Sequence, residues 1–421
     1  MVPSIVLRPS MRINVDHVNM SGMGETLTVA EAARRLGVKR ETVYAYVSRG
    51  LLERDPSSDR RATRFSRAAV EGLAGRARRT DRSPAVETVV DTELTLLDPD
   101  GRLAYRGHDA VGLARHSGLE RVAALLWGDP DRGPWRADPA ALSTLRAVLA
   151  PLRDVDPPAL LPVVVATLRA GDPLRADRRP EAVRRAGRTV VAGFVDAVPG
   201  RGIPVDDRVA ARLWTVLAPD DRAPGPAQLQ ALDAALVLLA DHELAASTFA
   251  ARVAASAWAD PYGVVLTGLG SLGGALHGAA SSEVERMLTA AAGPDGPARA
   301  LGDRLSADGP PAGFGHRVYR DRDPRADHLL DLVGGCARDP LAARAVADVV
   351  ALARDRGLPA PNVDLALAGL TTAMRLRPGS AATIFALART VGLVAHGLEE
   401  YRHRLRFRPR ATYVGERPAA R

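Results

Sequence analysis

The chain has 421 residues, of which 46% are hydrophobic and only 4% aromatic, so a core built on Ala, Leu and Val in close-packed helices is expected. One cysteine, Cys336, excludes an intrachain disulfide and a cysteine-based zinc site. The longest apolar runs fall far short of the ~20 residues of a membrane span. No basic-then-apolar leader opens the sequence, so a cytoplasmic protein without a membrane partner is expected. The net charge of +8 comes from 57 basic and 49 acidic side chains. Lys39 is the single lysine, which points to an arginine-biased composition rather than to selection for anions. Location says more: residues 24–82 hold 14 basic and 8 acidic groups, leaving an excess of only +2 for everything else. A short N-terminal piece therefore carries the footprint of a module that meets a polyanion.

Residues 1–23 hold four methionines without clear periodicity and read as a disordered tail or as sequence ahead of the true start. Residues 24–82 read as a compact helical domain. "TVAE", at 28–31, is a capping box in which Thr28 and Glu31 exchange hydrogen bonds with each other's backbone. "VAEAARRL" then forms a helix with Val29, Ala33 and Leu36 on one face, Gly37 ends it, and "KRETVYAYVSRG" starts a second helix ending at Gly50. This order, followed by the Arg-rich "ERDPSSDRRATR" and "FSRAAVEGL", resembles the small winged helix-turn-helix domains of the MerR and excisionase type. The resemblance implies DNA as a partner, with Lys39, Arg40, Thr42 and Tyr44 in the major groove and Arg60, Arg61 and Arg64 on phosphates. A three-helix module that contacts protein is the alternative.

From residue 83 onward the pattern is helical, with Leu232, Ala235, Leu236 and Leu239 at helical spacing, and again Ile384, Leu387, Val391 and Val394. Two motifs are set aside. "GLGSLG" at 268–273 matches a dinucleotide-loop pattern, and "YGVVLT" before it could pass for a strand, but a lone match is weak without strand–helix alternation. His396 and His403 lie seven apart on a predicted helix, and no metal site is expected there.

Four segments carry chemistry. His242 sits in "DHELAAST", His277 in the Gly/Ala-rich "GGALHGAASSEVERML", His316 in "GFGHRVYRDRDPRAD" and Asp364 in "PNVDLALAGL". Singly, each has a bland reading: a core histidine, or an aspartate that caps a helix. In order, together with "GRLAYRGHDAVGLARHSGLERVAALLWGD", "FALARTVGLVAHGLEE" and "RFRPRATYVGERP", they resemble the citrate synthase family. The resemblance implies an all-α fold with a large and a small helical domain over residues 83–421, the small one at about 279–365. It implies a homodimeric acyltransferase of the tricarboxylic acid cycle that condenses acetyl-CoA with oxaloacetate to citrate and CoA, acetyl-CoA being a co-substrate and no other cofactor being needed. Asp364 is then the base, His277 the donor to the thioester oxygen and His316 the group that polarises and protonates the ketone oxygen. His242, Arg325, Arg389 and Arg408 hold oxaloacetate, Arg408 from the partner protomer, and Arg320 meets the phosphates of CoA. Within 312–327, Arg317, Arg322, Asp321, Asp323 and Asp327 read as a charge-balanced loop. Where the family commonly has Asn, this chain has Ala245 and Ser281, and Ala275 replaces a common Pro, so those side chains read as lost groups outside the chemistry. Two alternatives stay open: a 2-methylcitrate synthase acting on propionyl-CoA, since one methylene gives little discrimination, and a DNA-binding regulator that uses the synthase fold as a metabolite sensor.

Overall fold

Helix starts in this chain are repeatedly written as Asp-Pro. Proline fixes φ where an N–H would have no partner, and the aspartate before it accepts from the first turn. Side chains of Asp138, Asp260, Asp323 and Asp339 cap helices that begin at Pro139, Pro261, Pro324 and Pro340. The computed structural model describes residues 26–36, 43–44, 46–47, 52, 55, 63–67, 69–70, 90–130, 135–274, 280–305 and 311–409. The chain divides into two units, Met1–Val90 and Asp91–Arg421.

In the first unit, β1 (Thr26–Thr28) leads into α1 (Val29–Leu36), and β2 (Arg64–Ser66) pairs antiparallel with β1, Leu27 facing Phe65. The capping box forms: the Thr28 amide donates to Glu31 at 2.8 Å and the Glu31 amide to the Thr28 hydroxyl at 3.3 Å. The strand before α1 was not visible in the sequence, because three residues are too short for an alternation to register. Ala32, Ala33, Val43, Leu52, Phe65 and Val70 make a small core. Tyr44 is exposed in a helical turn, and Arg64 lies on an exposed strand, donating to the Thr26 hydroxyl at 3.2 Å. Lys39, Arg40, Thr42, Arg60 and Arg61 lie outside the described residues, as does the tail at 1–23.

The second unit opens with a ribbon, β3 (Thr95–Asp98), β4 (Arg102–Tyr105) and β5 (His108–Asp109), all antiparallel. Helices follow: α2 (Ala110–His116), α3 (Leu119–Trp127), α4 (Pro139–Leu149), α5 (Pro157–Gly171), α6 (Pro180–Ala197), α7 (Val209–Leu217) and α8 (Pro226–Leu239). Next come α9 (Ala246–Ser256), α10 (Pro261–Leu272), α11 (Ala280–Ala292), α12 (Gly296–Gly302), α13 (Pro324–Cys336), α14 (Pro340–Asp355), α15 (Val363–Ala373) and α16 (Ser380–Glu400). α16 is the axis of the core and packs against α3, α5, α6, α8, α9 and α10. Among the described residues it is the one helix long and apolar enough to cross a membrane, and it is mostly buried inside the protein instead. α11 packs on α12, α14 and α15, and α15 packs on α13 and α14, so the residues of this second helical group lie between 280 and 373.

"GLGSLG" falls at the end of α10 and "YGVVLT" inside it, which removes the dinucleotide reading. A short apolar run does not distinguish strand from buried helix by periodicity. Gly268 lies where α16 crosses: a Cβ there would sit 2.6 Å from the Leu393 side chain, which would have to move aside.

Candidate active site

The corner after α8 is built first. Tyr105, from β4, is fully buried and its hydroxyl lies 3.1 Å from the Val237 carbonyl, 3.2 Å from that of Leu238 and 3.0 Å from that of Asp241. Val237 and Leu238 stand in the last turn of α8, and Asp241 lies just beyond it. Asp241, also fully buried, accepts from the Thr95 hydroxyl, the Glu243 amide at 3.2 Å and His396 Nε2 at 3.2 Å. Burial pushes its pKa up, but His396, Arg389 and Thr95 together hold it below the ordinary carboxylate value. His396 Nδ1 in turn faces Arg252 at 3.3 Å, and Arg252 is paired to Glu400 at 2.8 Å and to Glu399 at 2.6 Å. Gly392 lets α16 come this close: its amide donates to the Ala240 carbonyl at 3.0 Å, and a Cβ there would overlap that carbonyl and Asp241 Oδ1. His396 is thus a buried partner of Asp241, while His403 is exposed, so the two do not form a pair.

This corner holds His242, which is 8% exposed, with Nε2 3.1 Å from the Tyr319 hydroxyl. The His242 ring meets His316 edge-on at 5.2 Å, and the His316 and Tyr319 rings are 4.6 Å apart. The His316 loop is zipped to the segment before α15. The Gly315 amide donates to the Ala360 carbonyl at 2.8 Å, the Asn362 amide to the Gly313 carbonyl at 2.9 Å, and Asn362 Nδ2 to the Gly315 carbonyl at 2.9 Å. Gly313 has φ +92 and a Cβ would lie 3.0 Å from Leu365 and Val284, so only glycine fits. His316 Nδ1 accepts from the Val318 amide at 3.0 Å and the Tyr319 amide at 3.2 Å. Burial, then the charge of Arg325, pushes its pKa down to about 4. The ring is therefore neutral near pH 7 and, with Nδ1 accepting, carries its proton on Nε2. Nε2 lies 3.4 Å from an Arg325 nitrogen. Two donors that face each other in this way are satisfied by an acceptor oxygen from elsewhere.

Asp323 is not part of a surface charge balance, contrary to the expectation for its loop. It is 2% exposed and binds Arg325 twice, Nε to Oδ1 at 2.9 Å and a terminal nitrogen to Oδ2 at 2.8 Å. It also caps α13 through the Arg325 amide at 3.1 Å and accepts from the Val363 amide at 3.0 Å. One carboxylate thus ties the start of α13 to the start of α15. The sequence signal was there, since Asp-Pro-Arg combines a cap with a bidentate pair, but burial decides it. Arg322 and Asp327, by contrast, form an exposed pair at 2.6 Å, as the bland reading has it.

Asp364 stands in the first turn of α15, behind the Asn362 cap. Its Oδ1 accepts from the Ser281 hydroxyl at 2.6 Å. Burial raises its pKa, which the Ser281 bond and Arg325 oppose and Asp323 assists. Ser281, read from sequence as a lost group, is thus in contact with the carboxylate. Arg389 projects from α16 and is 1% exposed. Its Nε donates to the Leu239 carbonyl at 3.0 Å, and one terminal nitrogen is buried without a hydrogen-bond partner. Arg325 and Arg389 act on one another's charge, and Arg325 also acts on His316 and Asp364.

In outline, His242, His316, Arg325, Arg389 and Asp364 converge. Arg408 does not join them within one chain: it is exposed, next to Phe407, whose ring meets Phe249 at 5.2 Å. Arg320 is exposed 3.3 Å from Asp100. It lines a cavity of about 480 Å³ together with His316, Tyr319, Arg317 and the Pro359–Pro361 segment. His277 and Ala275 lie outside the described residues.

Residues 86–410 match the model of the citrate synthase C-terminal domain, and residues 26–76 match a helix-turn-helix domain. The chain belongs to the citrate synthase family. A citrate synthase from Haloferax volcanii is 33% identical over 78% of this chain and 94% of its own length. A 2-methylcitrate synthase from Mycobacterium tuberculosis is 30% identical over 78% of this chain and 88% of its own. The crystal structure of citrate synthase from Thermotoga maritima superposes with a TM-score of 0.65 over 81% of this chain and 97% of that one, at 24% identity, a likeness in fold. Within this family the order of segments was legible, whereas Asp323, Ser281 and the Asp241–His396 pair were not. Each acts by contact across more than thirty residues or from inside a loop that looks solvated, and no sequence period reports such contacts.

Proposed function

We propose that the chain condenses the methyl group of acetyl-CoA with the ketone of oxaloacetate and hydrolyses the thioester, giving citrate and CoA. The observation that carries this is a half-buried carboxylate, Asp364, standing in the field of Arg325 within a site that has donors left over for an anion: His316 Nε2–H, Arg325 and the unpartnered nitrogen of Arg389. Asp364 takes a methyl proton while His277 donates to the thioester oxygen, so the enolate is never free. The new carbon–carbon bond forms at the ketone carbon. His316, being neutral, stabilises the developing alkoxide as a hydrogen-bond donor. Arg325, Arg389 and His242 hold the two carboxylates of oxaloacetate, guanidinium forks suiting that geometry. Water then cleaves the thioester. Arg408 completes the site from the partner protomer of a cytoplasmic homodimer, and Arg320 at the rim of the 480 Å³ cavity meets CoA phosphate.

Release of free thiol from acetyl-CoA in the presence of oxaloacetate tests the reading, with propionyl-CoA in parallel to decide the 2-methylcitrate alternative. No free CoA at high enzyme concentration, or equal release by Asp364→Ala, sinks it. A second reading, a DNA-binding regulator that senses oxaloacetate or a CoA ester, rests on the helix-turn-helix match at residues 26–76 and the charge excess in residues 24–82. Both can hold in one chain. Salt-dependent binding to its own promoter, altered by oxaloacetate or acetyl-CoA, is the expected result, and binding that survives deletion of residues 1–82 would refute it.

A further inference from the structure

We propose that Ser281 is a positioning residue for the base: its hydroxyl, given to Asp364 Oδ1, fixes the carboxylate so that Oδ2 alone is presented to the substrate methyl group. The inference rests on the synthase reading of the site. Ser281 is fully buried in the first turn of α11, and Asp364 stands in the first turn of α15, which packs against α11. The hydroxyl has one proton to donate, and the 2.6 Å contact to Oδ1 uses it. Among the described residues no donor reaches Oδ2. The terminal torsion of an aspartate is broad and roughly two-fold, so an untethered carboxylate would spend time with neither oxygen aimed at the substrate. One hydrogen bond to one oxygen removes that freedom and leaves the other oxygen's lone pairs free to take a proton.

The same bond sets the charge of the base. Burial raises the Asp364 pKa, and Ser281 is first among the groups that pull it back. The charged groups acting on Asp364 are Arg325, which lowers it, and Asp323, which raises it, both from the start of α13. Among the described residues, α14 and α16 place no titrating group on it. Losing the Ser281 hydroxyl therefore raises the Asp364 pKa further. A base works only when deprotonated, so the acidic limb of the pH profile moves to higher pH. A bond that merely tied α11 to α15 would alter stability and leave that limb in place.

The test compares the full-length protein with Ser281→Ala and Ser281→Thr. The alanine variant keeps helix and volume, and the threonine variant keeps the hydroxyl. For Ser281→Ala, kcat at neutral pH is expected to fall roughly tenfold to a hundredfold, the factor set by one hydrogen bond to a charged group. The KM values for acetyl-CoA and oxaloacetate are expected to stay within about twofold, because the one proton of the Ser281 hydroxyl is spent on Asp364. The acidic limb moves up by about one to two pH units, and Ser281→Thr returns it toward the wild-type position. An acidic limb that coincides in wild type and Ser281→Ala overturns the inference. A wild type that releases no CoA overturns the synthase reading instead. The inference is then judged by carboxyl 13C titration of Asp364, assigned with Asp364→Asn. A titration point unchanged by Ser281→Ala overturns it there too, and a higher one supports it.

Discussion

Replacing Asp323 with alanine tests the frame of the site. The side chain is buried, pairs with Arg325 through two nitrogens, caps α13 and accepts from the first amide of α15. Its removal leaves the Arg325 guanidinium, itself 2% exposed, without a counter-charge. Breaking a buried ion pair from one side costs about 3–5 kcal/mol, because the remaining charge stays desolvated. Loss of the cap adds ~1 kcal/mol. Since both effects come from one carboxylate, a total of roughly 4–5 kcal/mol is expected for Asp323→Ala. Asp323→Asn removes the charge and keeps one acceptor oxygen where the two amides use both, so it should lose about 3 kcal/mol. Urea denaturation followed by tryptophan fluorescence measures both. Trp127, Trp135, Trp214 and Trp258 all lie in the second unit, so unfolding of the first does not enter the signal. The sign with pH is fixed: Arg325 outweighs burial and holds the Asp323 pKa below its ordinary value. Its stabilisation is therefore present above the unfolded carboxylate value of ~3.9 and lost as pH falls through the folded one. A loss below ~1 kcal/mol for Asp323→Ala would show that the pair does not hold the two helices, and the argument would fail.

Other expectations follow from the same geometry. Arg389→Ala removes a buried guanidinium with one free nitrogen, so the KM for oxaloacetate should rise at least tenfold while that for acetyl-CoA stays put. Equal rises in both would argue against a carboxylate ligand. Gly392→Ala places a methyl group on Asp241 Oδ1 and the Ala240 carbonyl, which must shift the corner that carries His242. A drop in thermal stability together with lower kcat is expected, and an unperturbed protein would contradict the close approach of α16. Because burial raises the Asp364 pKa, kcat in the wild type should decline with acid at a pH above the ordinary carboxylate range. A pH profile flat down to ~4 would exclude Asp364 as the base.

The sequence by itself determined the helical class, the concentration of positive charge in residues 24–82, and the order of the segments that carry His242, His316, Arg325, Asp364 and Arg389. These are properties of composition, period and local capping, which act within a few residues. The capping box at Thr28 and Glu31 is such a case, and it forms as written. The tertiary structure alone decided that Asp323 is a buried clamp, that Ser281 meets Asp364, and that His396 serves Asp241 rather than pairing with His403. It also decided that "GLGSLG" is a helix crossing rather than a nucleotide loop. The physical reason is common to all four. Burial and distance across the chain set the worth of a charge or a glycine, and both arise only when helices far apart in sequence close on one another.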